Sequence, residues 1–399
     1  MTMFHTARRK TMTQTLRVPA PQAAMRLTPL AYAVAVLLAA GGTLQQAQAQ
    51  QAFSGAWFAG KGATQATAVQ TGRQPGGVPL AGRPAAPGAQ TGEQLQRSLN
   101  NLNLAARAIA AQQAAQAQAR QGAAAAPGVP DGLVNGGLKI DANSLTAGWL
   151  NAQAPVQTVQ GGKTTVLVRQ TADKAILNWE TLNVGKDTTL SFQQQKDWAV
   201  LNRVNDPLAR PSQIQGRIEG DGTVLLVNRN GIVFHGASQV DTRNLVAAAA
   251  GIGDAQFRER GIYSNGSAPS ISDALGKVDV LRGARLAARA PANSTEGGGY
   301  VLLAGAEVHN GGEILAPKGQ ALLAAGDSFV IRKGVGTDGN ALSTTRGNEV
   351  VPRFDAAGAT GKVANSGLIQ AREGDATLAG REVRQDGVLL ASTSVNARG

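Results

Sequence analysis

The 399 residues include no cysteine. That absence excludes a disulfide framework, a thiolate nucleophile and any zinc or iron–sulfur centre held by cysteine. Histidine is nearly as scarce, limited to His5, His235 and His309. A three-histidine metal site would need all of them, and His5 lies in a segment read below as a leader. No metal and no cofactor is therefore expected. Acids are nearly missing from one region: residues 1–130 carry 11 Lys and Arg against Glu93 alone, whereas residues 131–399 carry 27 against 25. The net charge of +12 invites a nucleic-acid partner. Its confinement to a leader and a linker, without interleaved aromatics, argues against one. Long apolar runs are also lacking. The longest, Leu30–Ala40, has 11 residues, short of the about 20 that a membrane span needs.

That run does have a role. Arg8, Arg9, Lys10, Arg17 and Arg26 precede it, and the small-x-small site Ala47-Gln48-Ala49 follows. This is signal-peptide grammar, so residues 1–49 are expected to be removed by cleavage after Ala49, with Ala47 as its partner. The long basic region before the run points to a modified export route. Export leads to a compartment that would permit disulfides. Their absence has two readings: the chain stays unfolded and uncrosslinked between two membranes, or a large core needs no staples.

Residues 50–130 are rich in Ala, Gln, Gly and Pro and read as linker. Within them Leu95, Leu99, Leu102, Ala106 and Ile109 recur at helical spacing. A helix over 93–120 is expected, this face packing on its own domain.

From Gly132 the texture changes to short apolar runs between Gly, Asn and Asp, such as Thr165–Val168, Val224–Val227, Val301–Leu303 and Phe329–Ile331. These are strand and turn signals. Internal repeats set the architecture. Val308-His309-Asn310-Gly311-Gly312-Glu313-Ile314-Leu315-Ala316 returns 55 residues later as Val363-Ala364-Asn365-Ser366-Gly367-Leu368-Ile369-Gln370-Ala371. Both copies continue with Gly319/Gly374, Ala321/Ala376 and Leu323/Leu378. A shorter echo, Val301–Gly305 against Ala321–Gly326, has an offset of 20. A sandwich does not require such a period; a solenoid does. The expected fold is all-β, a parallel β-helix whose coils stack at about 4.8 Å. Val, Leu, Ile and Ala would line a narrow column, and Asn or Gly would turn its corners. The 4% aromatic content suits such a column.

The stretch Ala175–Gly185, Leu190–Gln194, Val200–Val204, Pro211–Ile218, Gly222–Phe234 and Val240-Asp241 resembles the N-terminal secretion domain of the filamentous haemagglutinin family. Those are exoproteins of two-partner secretion in Gram-negative bacteria. The resemblance implies a right-handed β-helix with extra sheets capping its start. It also implies a dedicated outer-membrane transporter with periplasmic domains as partner, and an adhesive role at a host cell surface or its glycans. On this reading residues 131–290 are the secretion domain and 291–399 are further coils. Two elements are candidates for transporter recognition: Asn202-Arg203-Val204 and Asn228-Arg229-Asn230-Gly231-Ile232. The family usually has Pro at the position of Arg229, so this turn is less preorganised. The second element is first readable as a corner turn, since Asn-Gly is a turn signal. Arg203 has two readings, contact with an acidic transporter surface or a brace to Asp206.

Enzymatic chemistry is not expected, and no catalytic residue is assigned. Gly334–Gly339 fits G-x-G-x-x-G, but no apolar helix follows to receive a pyrophosphate. A β-helical polysaccharide enzyme would need clustered carboxylates, yet Asp221, Asp254, Asp327 and Asp375 each follow Gly at turn positions. Asn265 and Asn293 begin glycosylation-type sequons. The expected product is a secreted adhesin-type exoprotein, with a polysaccharide enzyme or a toxin-delivery exoprotein as alternatives. Because a repeat runs up to Asn396–Gly399 and solenoids need capped ends, further sequence beyond residue 399 is expected.

Overall fold

The computed structural model describes residues 87–123, 128–143, 148–293, 296–333, 347–354 and 360–392. The expected leader with its expected cleavage site at Ala47 and Ala49, most of the segment read as linker, and Gly334–Gly339 lie outside the described residues.

The strands build a parallel β-helix of three faces. On the first face stand Ser212–Ile214, Ile232–Phe234, Lys277–Val280, Glu307–Asn310, Lys362–Asn365 and Glu382–Gln385, each parallel to the next. Arg217–Val227 and Gln239–Ala248 then run through the second and third faces together, with a register shift between Thr242 and Asn244 at the bend. Higher up these faces separate. Arg285–Ala288, Glu313–Leu315, Leu368–Arg372 and Val388–Ser392 continue the second. Tyr300–Gly305, Gln320–Ala325 and Asp375–Ala379 continue the third. Antiparallel elements cover the start: Leu138–Ile140 and Trp149–Leu150 pair with Lys174–Leu182, and Val156–Gln160 forms a hairpin with Lys163–Arg169.

Both sequence repeats are neighbouring coils. Val301 lies against Ala321 and Leu303 against Leu323. Val308 lies against Val363, Asn310 against Asn365 and Ile314 against Ile369. The offset of 55 is one coil lengthened by an inserted antiparallel hairpin, Ser328–Arg332 with Glu349–Arg353.

Alternation places the core. Ile218, Val240, Leu286, Ile314 and Ile369 from the second face meet Leu226, Leu245, Leu303 and Leu323 from the third and Ile232, Val278, Val308 and Val363 from the first. Each such buried side chain contributes roughly 1.5–3 kcal/mol. The third face is buried on both sides. Its outward residues Leu201, Leu225, Val246, Leu302 and Leu322 are covered by Phe257, Ile262 and Ile271 of one insertion and Phe329, Ile331 and Val350 of the hairpin. That explains why Val224–Val227 reads as an unbroken apolar run, as strands covered on both faces do.

At the corner between the first and second faces, buried asparagines stack. Asn310 Nδ2 donates to Asn365 Oδ1 at 2.8 Å, and Asn365 Nδ2 donates to Gln385 Oε1 at 2.9 Å. Their carbonyl oxygens accept from Gly312 N and Gly367 N. The backbones approach so closely here that a Cβ at Gly367 would collide with the Gly312 carbonyl. Along the outer edge of the first face, Lys277, Glu307, Lys362 and Glu382 occupy one register position on successive coils.

The helix α1, Pro87–Ala123, lies against this corner. Gly236 and Gly283 meet Ala119. Gln116 Nε2 donates to Gly311 O at 2.8 Å while its Oε1 accepts from Gly283 N at 2.5 Å. Gln112 Nε2 donates to Ser366 O at 3.3 Å. A coil advances about 4.8 Å and a helical residue about 1.5 Å, so each coil matches about three helix residues. The packing face is therefore Ala108, Gln112, Gln116 and Ala119. The leucine stripe expected to pack does not: Leu99 and Leu102 are exposed. Glycine corners leave room for Ala and for flat Gln amides, and the longer leucines turn outward. No helix among the described residues is long and apolar enough to cross a membrane.

Candidate functional site

Both candidate recognition elements sit at the corner between the third and first faces, on adjacent coils. Arg203 pairs in register with Val227, the residue before Asn228.

Asn202 is fully buried. Its Oδ1 accepts from Trp179 Nε1 at 3.0 Å, and its Nδ2 donates to Leu225 O at 3.1 Å. Trp179 in turn packs edge-on against Trp149, with ring centroids 5.1 Å apart. Val204 is half-buried against the core. The Arg203 guanidinium is mostly covered and donates to Ile252 O at 2.9 Å and to Asp254 Oδ1. Asp254 opens the short helix α2, Asp254–Arg260. Arg203 thus ties the third face to its cover. It does not brace Asp206, which pairs instead with Arg210 at 2.8 Å and accepts from Leu208 N.

The second element is a turn. Gly231 N donates to Asn228 O at 3.0 Å, and Asn230 N donates to Asn228 Oδ1 at 3.0 Å. The buried Asn228 amide also reaches Arg210 O and Ser212 Oγ, both at 3.1 Å, which joins two coils. Gly231 holds φ +120°, where a side chain is strained. Ile232 enters the core. Arg229 projects outward, its guanidinium 3.9 Å from Asp273. Among the described residues its backbone N–H has no acceptor, and it occupies the second position of the turn, where proline fits. Arg229→Pro is expected to stabilise the fold by about 0.4–1 kcal/mol through the unfolded state. The readout is a higher urea midpoint at unchanged slope.

Sequence reasoning missed the apolar part of this corner. Three successive segments lead into the first face at Ser212, Ile232 and Lys277, so they lie within about 10 Å of one another. The outer two carry Leu208 and Leu275, each 68% exposed. Leu208 directly precedes Ala209 at φ +53°, and Leu275 lies two residues after Asp273 at φ +56°. Left-handed strain of this kind concentrates at functional surfaces. The only hint in the sequence is a leucine set among turn residues, in Asp206-Pro207-Leu208-Ala209 and Asp273-Ala274-Leu275-Gly276. The corner therefore offers two apolar side chains around an exposed arginine. Among the described residues no cluster of three or more His, Asp or Glu side chains could hold a metal ion.

Comparison with known proteins places this architecture. The model of the TPS secretion domain family matches residues 145–398. A heme/hemopexin-binding protein of Haemophilus influenzae is 34% identical over 94 residues, 23% of this chain and 10% of that protein. A second protein of that description, from the Rd strain, is 27% identical over 179 residues, 44% of this chain and 18% of the relative. The matched parts thus span a tenth to a fifth of those relatives. The crystal structure of the HMW1 secretion domain from Haemophilus influenzae aligns with a TM-score of 0.42 and 23% identity, covering 61% of this chain and 57% of that one.

Proposed function

Since the chain belongs to the TPS secretion domain family, we propose that the corner carrying Leu208, Arg229 and Leu275 is the surface its transporter reads. The chain is a secreted two-partner exoprotein, exported across the outer membrane to the cell surface or the extracellular space, and a cognate outer-membrane transporter is its partner. What supports the assignment of the surface is the meeting of both family elements at one corner, flanked by exposed leucines. Within it the roles divide. Asn202, Val204, Asn228, Gly231 and Ile232 hold the corner's shape, Arg203 anchors its cover, and Arg229 with the two leucines makes contact.

The test is secretion through the cognate transporter. A chain with Leu208→Ser, Leu275→Ser and Arg229→Glu is expected to be secreted about 5–30-fold less, the effect of losing 1–2 kcal/mol of contact. Its urea midpoint should stay within the range of surface substitutions. Undiminished secretion would remove this corner from the recognition surface.

Once outside, the exoprotein acts as an adhesin-type binder of a host cell surface or its glycans. Polysaccharide cleavage by paired carboxylates is disfavoured because the acids are taken up by arginine: Asp221 and Asp241 by Arg289, and Asp254 by Arg203. The name of the two relatives supplies a second reading, capture of a haem carrier. Binding of the purified chain to cultured host cells, compared with binding to hemopexin, separates the two.

A further inference from the structure

Three consecutive coils of the first face place an acid, an imidazole and a hydroxyl in line. Asp279 and His309 are register partners on adjacent strands, both pointing outward. His309 Nδ1 lies 2.9 Å from Asp279 Oδ1. On the far side of the ring, His309 Nε2 lies 3.1 Å from the hydroxyl of Ser366, at the corner of the next coil. We propose that Ser366, His309 and Asp279 form a serine-type acyl-transfer centre that hydrolyses small esters, an activity separate from export and adhesion.

Each atom is on the side the chemistry requires. Lys277 Nζ holds the second oxygen of Asp279 at 3.0 Å. The hydrogen bond from His309, opposed by partial burial and aided by Lys277, holds the Asp279 carboxyl below its ordinary range, so it stays ionised. An ionised acceptor at Nδ1 keeps the proton on that nitrogen. The lone pair of Nε2 then faces the Ser366 hydroxyl, as a general base must. His309 is 43% exposed while Asp279 is 13% exposed. The orienting acid is thus shielded and the base is open to substrate. Gln112 of α1 donates to the Ser366 backbone carbonyl at 3.3 Å, which ties the nucleophile's corner to the helix.

The reaction closes without an added reagent. Ser366 Oγ forms a bond to the ester carbonyl carbon as its proton passes to His309 Nε2. The carbon–oxygen bond to the alcohol breaks, and the alcohol leaves with that proton. Water then attacks the acyl-serine, its proton again passing to Nε2, and the acid is released as Ser366 regains its hydrogen. The open surface suits short acyl groups such as acetate.

The experiment treats the purified full chain with a fluorophosphonate probe and locates the modified residue by mass spectrometry. Hydrolysis of p-nitrophenyl acetate is measured in parallel. Labelling at Ser366 is expected, with label and turnover abolished in Ser366→Ala and turnover lowered about 100-fold or more in His309→Ala. Asp279→Asn should lower the labelling rate while the circular dichroism spectrum is kept. A wild-type chain with no label on Ser366 would overturn the proposal, whatever the variants do. So would hydrolysis that persists in Ser366→Ala, and so would variants that shift only the urea midpoint. The three residues would then be a ladder tying coils together.

Discussion

Export of a chain carrying both Glu307→Cys and Lys362→Cys is expected to fall to background under oxidising conditions and to recover when a reductant is added. The two positions are register partners on adjacent coils of the first face. Their Cα atoms therefore lie about 4.8 Å apart, inside the range of about 4.4–6.8 Å that a disulfide spans. Both side chains point away from the core, so neither substitution opens a cavity. No other cysteine exists to divert the pair. The bond would close a loop that contains the whole Ser328–Arg332 and Glu349–Arg353 hairpin. A chain that passes its transporter extended cannot carry such a loop. Either single substitution alone should leave export intact. If the closed chain is exported normally, unfolded passage is wrong, and the lack of cysteine reflects only a core that needs no staples.

The second large effect is on stability. Asn202→Leu is expected to cost about 2–5 kcal/mol, because it leaves two buried groups without partners at about 1–3 kcal/mol each. Those groups are the Trp179 indole N–H and the Leu225 carbonyl, both in the interior. Asparagine serves them with one acceptor and one donor, which leucine lacks. The measurement is the urea midpoint of the exported chain, with Trp179 fluorescence as a local probe. A shift below about 1 kcal/mol would show that water or a rearranged partner replaces the amide. The result also decides how an export defect at Asn202 is interpreted. A large stability loss makes it a folding residue, in contrast to Leu208, Leu275 and Arg229, whose loss should leave the midpoint alone.

Much of the coil architecture was legible because parallel stacking repeats the same physical demand at each level. Asn310 and Asn365 recur because each must cap the glycine turn beneath it and bond its copy above. Ile314 and Ile369 recur because they fill the same column. The insertions were not legible, since a hairpin that packs on the outer side of a strand leaves no period. That is why the offset of 55 concealed a single coil. The helix face was misjudged for a related reason. Leucine spacing marks the face that could bury most apolar area, but the corner it meets is lined with glycine and admits only Ala and Gln. The partner of Arg203 was hidden as well. Asp254 lies 51 residues on, in an insertion whose path only the folded chain fixes. The alignment of Asp279, His309 and Ser366 was equally out of reach, because its members lie 30 and 57 residues apart along the chain.

The edge formed by Lys277, Glu307, Lys362 and Glu382 alternates in sign from coil to coil. Exposed pairs of this kind add little to stability, but their order carries information. If a coil were skipped during stacking, Lys277 would face Lys362, or Glu307 would face Glu382. Like charges directly opposite one another are repulsive. Apolar residues of nearly equal size fill every level of the interior, so the core alone distinguishes poorly between one coil and the next. Across these four coils the alternating edge acts as a weak parity check, disfavouring a register in which like charges would meet.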